Sequence, residues 1–169
     1  MKDLDFYAKA ATSGVVFGVQ LSSTPAEVEE RFGADFLDDR QRGVFRRDYG
    51  LLEFTFFRDP DWTCGAISIQ VHRLLEGASD SVPSVLIQEF GEFSPCVKLS
   101  SLKREVGTLG FYLSEAPDQT SPDFTRFLVS QSGVEVVTTR GLTTDGKLSS
   151  EVGDVWSILV PGNFPPKKT

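Results

Sequence analysis

Apolar residues recur along this chain with two spacings, and the spacings predict its elements. Leu4, Tyr7, Ala8 and Ala11 fall on one stripe of a helix over residues 3–11, which Gly14 ends. Val15 to Leu21 is apolar and β-branched, so a short strand or an extended entry is expected there. Ser22-Ser23-Thr24-Pro25 carries the signature of a helix start. A hydroxyl accepts the unpaired first-turn N–H groups, and proline in the first turn loses no bond. Val28 and Phe32 are the buried stripe of that helix, and Gly33 stops it. Residues 34–41 are polar and read as a loop. The period then changes to two. A strand over Gly43–Arg47, a turn at Asp48-Tyr49-Gly50 and a strand over Leu51–Arg58 follow, with Leu52, Phe54 and Phe56 on one face and Leu51, Glu53, Thr55 and Phe57 on the other. Asp59-Pro60-Asp61 breaks the run. A third strand is expected over Gly65–Leu74, with Ile67, Ile69 and Val71 facing one way and Ser68, Gln70 and His72 the other.

The pattern then comes round again. Ser23-x-Pro25 with Phe32-Gly33 returns as Ser81-x-Pro83 with Phe90-Gly91, a shift of 58 positions. The run from Phe45 to Phe54 returns as Leu102 to Phe111, a shift of 57. A fixed period of this length signals two similar supersecondary units. The second unit is expected as a helix from Asp80-Ser-Val-Pro83 to Gly91, a hairpin of Leu102–Val106 with Thr108–Ser114, a turn-rich stretch over 116–122 and a strand over Asp123–Ser130. Residues 133–140 and 152–160, around a turn at Thr144-Asp145-Gly146, add a further hairpin at the sheet edge. The expected class is α+β. Two tandem units, each a helix followed by an antiparallel three-strand meander, span residues 1–79 and 80–163, with an extra C-terminal hairpin and a flexible tail over 164–169.

Composition changes this picture little and charge narrows it. The 169 residues suffice for a core without covalent staples. Fourteen phenylalanines point to an aromatic-rich core or face. The net charge of −7 argues against nucleic acid and anionic membranes, and suits a basic protein partner. The N-terminal stretch is acidic and no run approaches a membrane span, so a cytoplasmic protein is expected. Cys64 and Cys96, far apart in sequence, are expected to be reduced.

Catalytic signatures are sparse. His72 is the lone histidine, so a nucleophile triad would have to run through it, with Cys96 as its thiol, and the simpler reading is a histidine on a sheet face. One histidine and two scattered cysteines make no zinc set, and Gly14 to Gly18 lacks the lysine of a phosphate loop. No cofactor, metal or catalytic residue is expected. What remains is a surface: Glu53, Phe57, Gln70 and His72 on one side of the first meander, with Trp62 at the adjoining turn and Tyr49 at the hairpin tip. Exposed aromatic side chains are common interface anchors.

The phrase Gly18-Val-Gln-Leu-Ser-Ser-Thr-Pro-Ala-Glu-Val28, ending at Phe32-Gly33 before a meander, resembles the small repeat of the outer-membrane-assembly lipoproteins and of the beta-lactamase inhibitory proteins. In the latter, two such units make a concave sheet that grips an enzyme. The likeness covers residues 15–74 well and 80–131 loosely, without the lipoprotein signal or the inhibitors' disulfides. Asp48 to Phe56 and Ile67 to Leu74 are also similar to uncharacterised actinobacterial proteins, some of them suspected immunity partners of contact-delivered toxins. The resemblance implies a non-enzymatic inhibitor or immunity protein that sequesters a toxin or enzyme on its sheet face. The alternatives are an enzyme or a small-ligand protein with a cleft between the units.

Overall fold

The computed structural model describes residues 2–116, 123–139 and 153–161. The turn expected at 144–146, most of the turn-rich stretch at 116–122 and the tail at 164–169 lie outside them. The protein is α+β, with an eight-stranded antiparallel sheet and helices packed on one side of it.

Helix α1 (Asp3–Ser13) buries Phe6, Tyr7, Ala8, Ala10 and Ala11 and ends on Gly14 in the left-handed conformation, φ 70°. Helix α2 (Pro25–Phe32) is held at its start by a reciprocal pair of bonds. The Thr24 hydroxyl accepts from the Glu27 N–H, and the Glu27 carboxylate accepts from the Thr24 N–H at 2.7 Å. Between the two helices no strand forms. Val16 and Val19 exchange backbone hydrogen bonds of 2.8 and 3.0 Å around a tight turn, and both are buried. The apolar run is therefore two core contacts on a turn and not an extended segment.

The meander is longer than the sequence suggests. β1 (Leu37–Gln41), β2 (Val44–Asp48), β3 (Leu52–Arg58) and β4 (Trp62–Ile69) pair in succession. β1 lies in the polar stretch read as a loop. It is an edge strand and mostly exposed, so it has no buried stripe to announce it, and its charges guard an open edge. After Ile69 the chain turns into a 3-10 helix (Val71–Glu76). Val71 and Leu74, three apart, are its buried residues, which is the period of that helix. His72 is thus helical and not part of a strand.

Two short helices follow, α3 (Ala78–Ser81) and α4 (Ser84–Phe90). α4 falls where the repeat expects it. α5 (Leu99–Thr108) does not: the proposed strand Leu102–Val106 is helical, and the hairpin is absent. Leu102 and Val106 are four apart and buried, so local helical periodicity prevails over the apparent match to Phe45–Phe54. The shift of 57 accordingly aligns a hairpin with a helix. The chain returns to the sheet with β5 (Leu113–Glu115), β6 (Phe124–Val129), β7 (Glu135–Thr139) and β8 (Val155–Val160).

The strand order is β1-β2-β3-β4-β8-β7-β6-β5. The last strand is therefore central, between β4 and β7, and not part of an edge hairpin. Its near-continuous apolar run, with Val155, Ile158 and Val160 buried, suits a strand covered by neighbours on both sides.

Candidate functional face

Residues opposite each other in an antiparallel ladder share a face, so the register identifies both surfaces of the sheet. One row runs Leu52, Ile69, Ile158, Val136 across β3, β4, β8 and β7. All four are buried, and all belong to the core cluster with α1, α2, α4 and α5. The row one residue along runs Glu53, Ser68, Leu159, Glu135 and Leu128. None of these is buried, and Leu128 is 41% exposed. Among the described residues, the second face is open along this row and closes two residues further on, where Val137 of β7 and Ser157 of β8 are buried.

Three ion-paired groups stand on that open face. Arg46 of β2 lies 3.5 Å from Asp39 of β1. Arg73, from the 3-10 helix, reaches Glu53 at 2.6 Å and Asp48 at 2.9 Å, and also donates to the Gly50 carbonyl. Arg126 of β6 pairs with Glu135 of β7. Gln70 completes the middle group by donating to Ser68 Oγ at 2.7 Å and to Glu53 Oε2 at 3.3 Å.

The six residues singled out from sequence divide. Glu53 and Gln70 meet on the open face, as just described. Phe57 is also on it, half-buried, with its ring lying over Gly65 on the neighbouring strand. His72 is half-buried beside this group. It stacks on Trp156 with ring centres 4.3 Å apart and planes 3° from parallel, and its Nδ1 lies 3.2 Å from the Trp156 carbonyl, to which it donates. Burial lowers the His72 pKa and Arg73 adds to this, against the Trp156 carbonyl, Glu53 and Glu76, so the ring is neutral at pH 7.

Tyr49 and Trp62 are elsewhere. Tyr49 is buried, and its hydroxyl donates to the Gly33 carbonyl at 2.8 Å. Its ring touches Phe32, Phe36 and Phe54, so the β2–β3 turn is clamped against the end of α2 rather than exposed. Burial pushes its phenol up to about 12. Trp62 pairs with Arg58 and meets Phe45 edge-on at 4.9 Å. That places it on the helix side of the sheet, opposite Phe57, because the bulge near Gly65 sets the register.

No known protein family, curated protein or solved structure matches this chain.

Two concavities lie away from the open face. One, of about 470 Å³, sits between the Val16–Val19 turn and α2 and is lined by Gln20, Ser22, Ser23, Glu27, Glu30 and Arg31. The other brings His72 and Cys96 together with Asp154 and Trp156, but it is too shallow to hold a water molecule. Cys64 is no rival nucleophile: it is buried, donates to the Ala66 carbonyl, and its thiol is pushed up to about 12 by burial. Sequence reasoning missed Arg73, Arg126, Glu135 and Leu159. Only the pairing of β4 with β8 brings Leu159 beside Ser68, and no local signal announces a contact of that range.

Proposed function

We propose that this protein is a non-enzymatic binding module of the inhibitor or immunity kind, which holds a toxin or enzyme on its open sheet face. The supporting observation is the accessible row from Glu53 to Leu128, which crosses five strands one residue away from a fully buried row. A half-covered antiparallel sheet ordinarily presents a polar face to water. Here that face carries Leu159, Leu128 and Phe57 among its ion pairs. We further read the chain as two helix-plus-meander units, β1–β4 and β5–β8, joined where β4 meets β8, with each meander following its own helices. Cys64 and Cys96 are not joined by a disulfide, which suits a reducing compartment, and no helix among the described residues is long and apolar enough to cross a membrane.

The test is capture of a stoichiometric protein from the source organism by the immobilised full chain, identified by mass spectrometry. Binding is expected to fall at least tenfold (about 1.4 kcal/mol) when Glu53 and Leu159 are both replaced by Lys. Repeated recovery of the chain alone would overturn the reading.

A further inference from the structure

We infer that the partner meets the open sheet face through an uncharged, apolar-centred surface, so that the complex persists at high salt. This rests on the protein-binding reading above and adds the chemistry of the contact.

The argument begins with where the charge lies. Among the described residues, every arginine on the open face already has a carboxylate: Arg46 has Asp39, Arg73 has Glu53 and Asp48, and Arg126 has Glu135. Between these groups the register places Thr55, Ala66, Ser68 and Leu159, all partly accessible and none ionisable, while Ser157 and Val137 beyond them are buried. Among the described residues, exposed carboxylates without an arginine beside them on this face cluster elsewhere. Helix α2 exposes Glu27, Glu29 and Glu30 against Arg31, and Glu89 and Glu92 are exposed in α4 and just after it. A strongly basic ligand would be drawn to the helices.

Energetics then select the partner. A lysine or arginine pressed onto the centre of the face would lose its water without gaining a counter-charge, which costs several kcal/mol. One placed at the margin would have to displace an arginine already paired there. An apolar or hydroxyl-bearing patch pays neither cost, and an uncharged centre inside a polar rim is the usual anatomy of a protein interface. The whole sheet sets the ceiling on size: eight strands about 4.8 Å apart and roughly 17 Å long give on the order of 600 Å², less the buried Val137 and Ser157 positions, against the ~800 Å² that each side of a standard complex buries.

The experiment uses the full chain immobilised in source-organism lysate, at about 50 and about 500 mM NaCl, with retained partner quantified by mass spectrometry. The expected result is a stoichiometric partner whose retention changes less than about twofold with salt and drops at least about tenfold for Thr55→Lys. Leu128→Lys, at an exposed position, provides the same reading if Thr55→Lys does not fold. Glu30→Lys on α2 serves as the control that keeps binding. A partner held at low salt and released at high salt would overturn this inference while leaving the protein-binding reading intact. Retention indifferent to both face variants would overturn the face itself. No stoichiometric partner at either salt would overturn both.

Discussion

Gly65 and Phe57 show how one residue shapes the candidate face. A Cβ at position 65 would overlap the Phe57 ring, so the aromatic can lie flat on the sheet only because its neighbour has no side chain. Gly65→Ala should destabilise the protein by about 1–3 kcal/mol in urea denaturation, by overpacking. Adding Phe57→Ala should remove the clash, so the two changes together should cost less than their sum. His72 yields a pH prediction. Its folded pKa lies below its unfolded value of 6.5, so the unfolded chain binds the extra proton first as the medium is acidified. Stability should therefore fall as pH drops below about 6.5, with the slope this histidine adds. His72→Phe keeps a ring against Trp156 and lacks the proton. The difference in urea midpoint between wild type and variant should shift in favour of the variant between about pH 7 and pH 5. A difference that stays constant would mean that burial does not perturb this ring.

At the scale of elements, the edge strand β1 is held by a buried arginine more than by apolar packing. Arg47 is 4% exposed, donates to both Asp38 oxygens at 3.0 and 3.2 Å and to the Pro25 carbonyl, and lies 3.8 Å from the Phe36 ring centre. It joins β1, β2 and the start of α2 in one contact. Arg47→Leu leaves Asp38 largely buried without its main partner and should cost about 3 kcal/mol. Converting both residues, Arg47→Leu with Asp38→Leu, should recover most of that loss, which chemical denaturation of the four proteins of the cycle would measure. Helix α5 illustrates competition between signals. Its resemblance to the β2–β3 window is real in letters. Leu102 and Val106 nevertheless need the 3.6-residue period to reach the core together, and burial decides.

At the scale of the whole molecule, β8 joins the two halves of the sheet. Ile158 lies between Ile69 and Val136, and Val160 opposite Ile67. A chain ending at residue 152 should lose cooperative unfolding. Each buried aliphatic side chain lost with β8 contributes about 1.5–3 kcal/mol, and a domain of this size has only about 5–15 kcal/mol in hand. A sharp thermal transition in the truncated protein would show that β1–β4 and its helices fold without the strand. The same topology separates the two surfaces: helices and the exposed glutamates of α2 and α4 on one side, a sheet with paired arginines on the other.

Periodicity by itself established α1, α2, the β2–β3 hairpin and the division of β3 into a Leu52–Phe54–Phe56 face and a Glu53–Thr55–Phe57 face. Those features are written in residues three, four or two apart, and a terminal Gly or a capping Thr marks their ends. The central place of β8, the strand character of β1, the inward turn of Tyr49 and the row that links Glu53 to Leu128 were decided only by the assembled sheet. Hydrogen bonds between strands far apart in sequence leave no local trace, and a polar edge strand buries too little to have a pattern of its own.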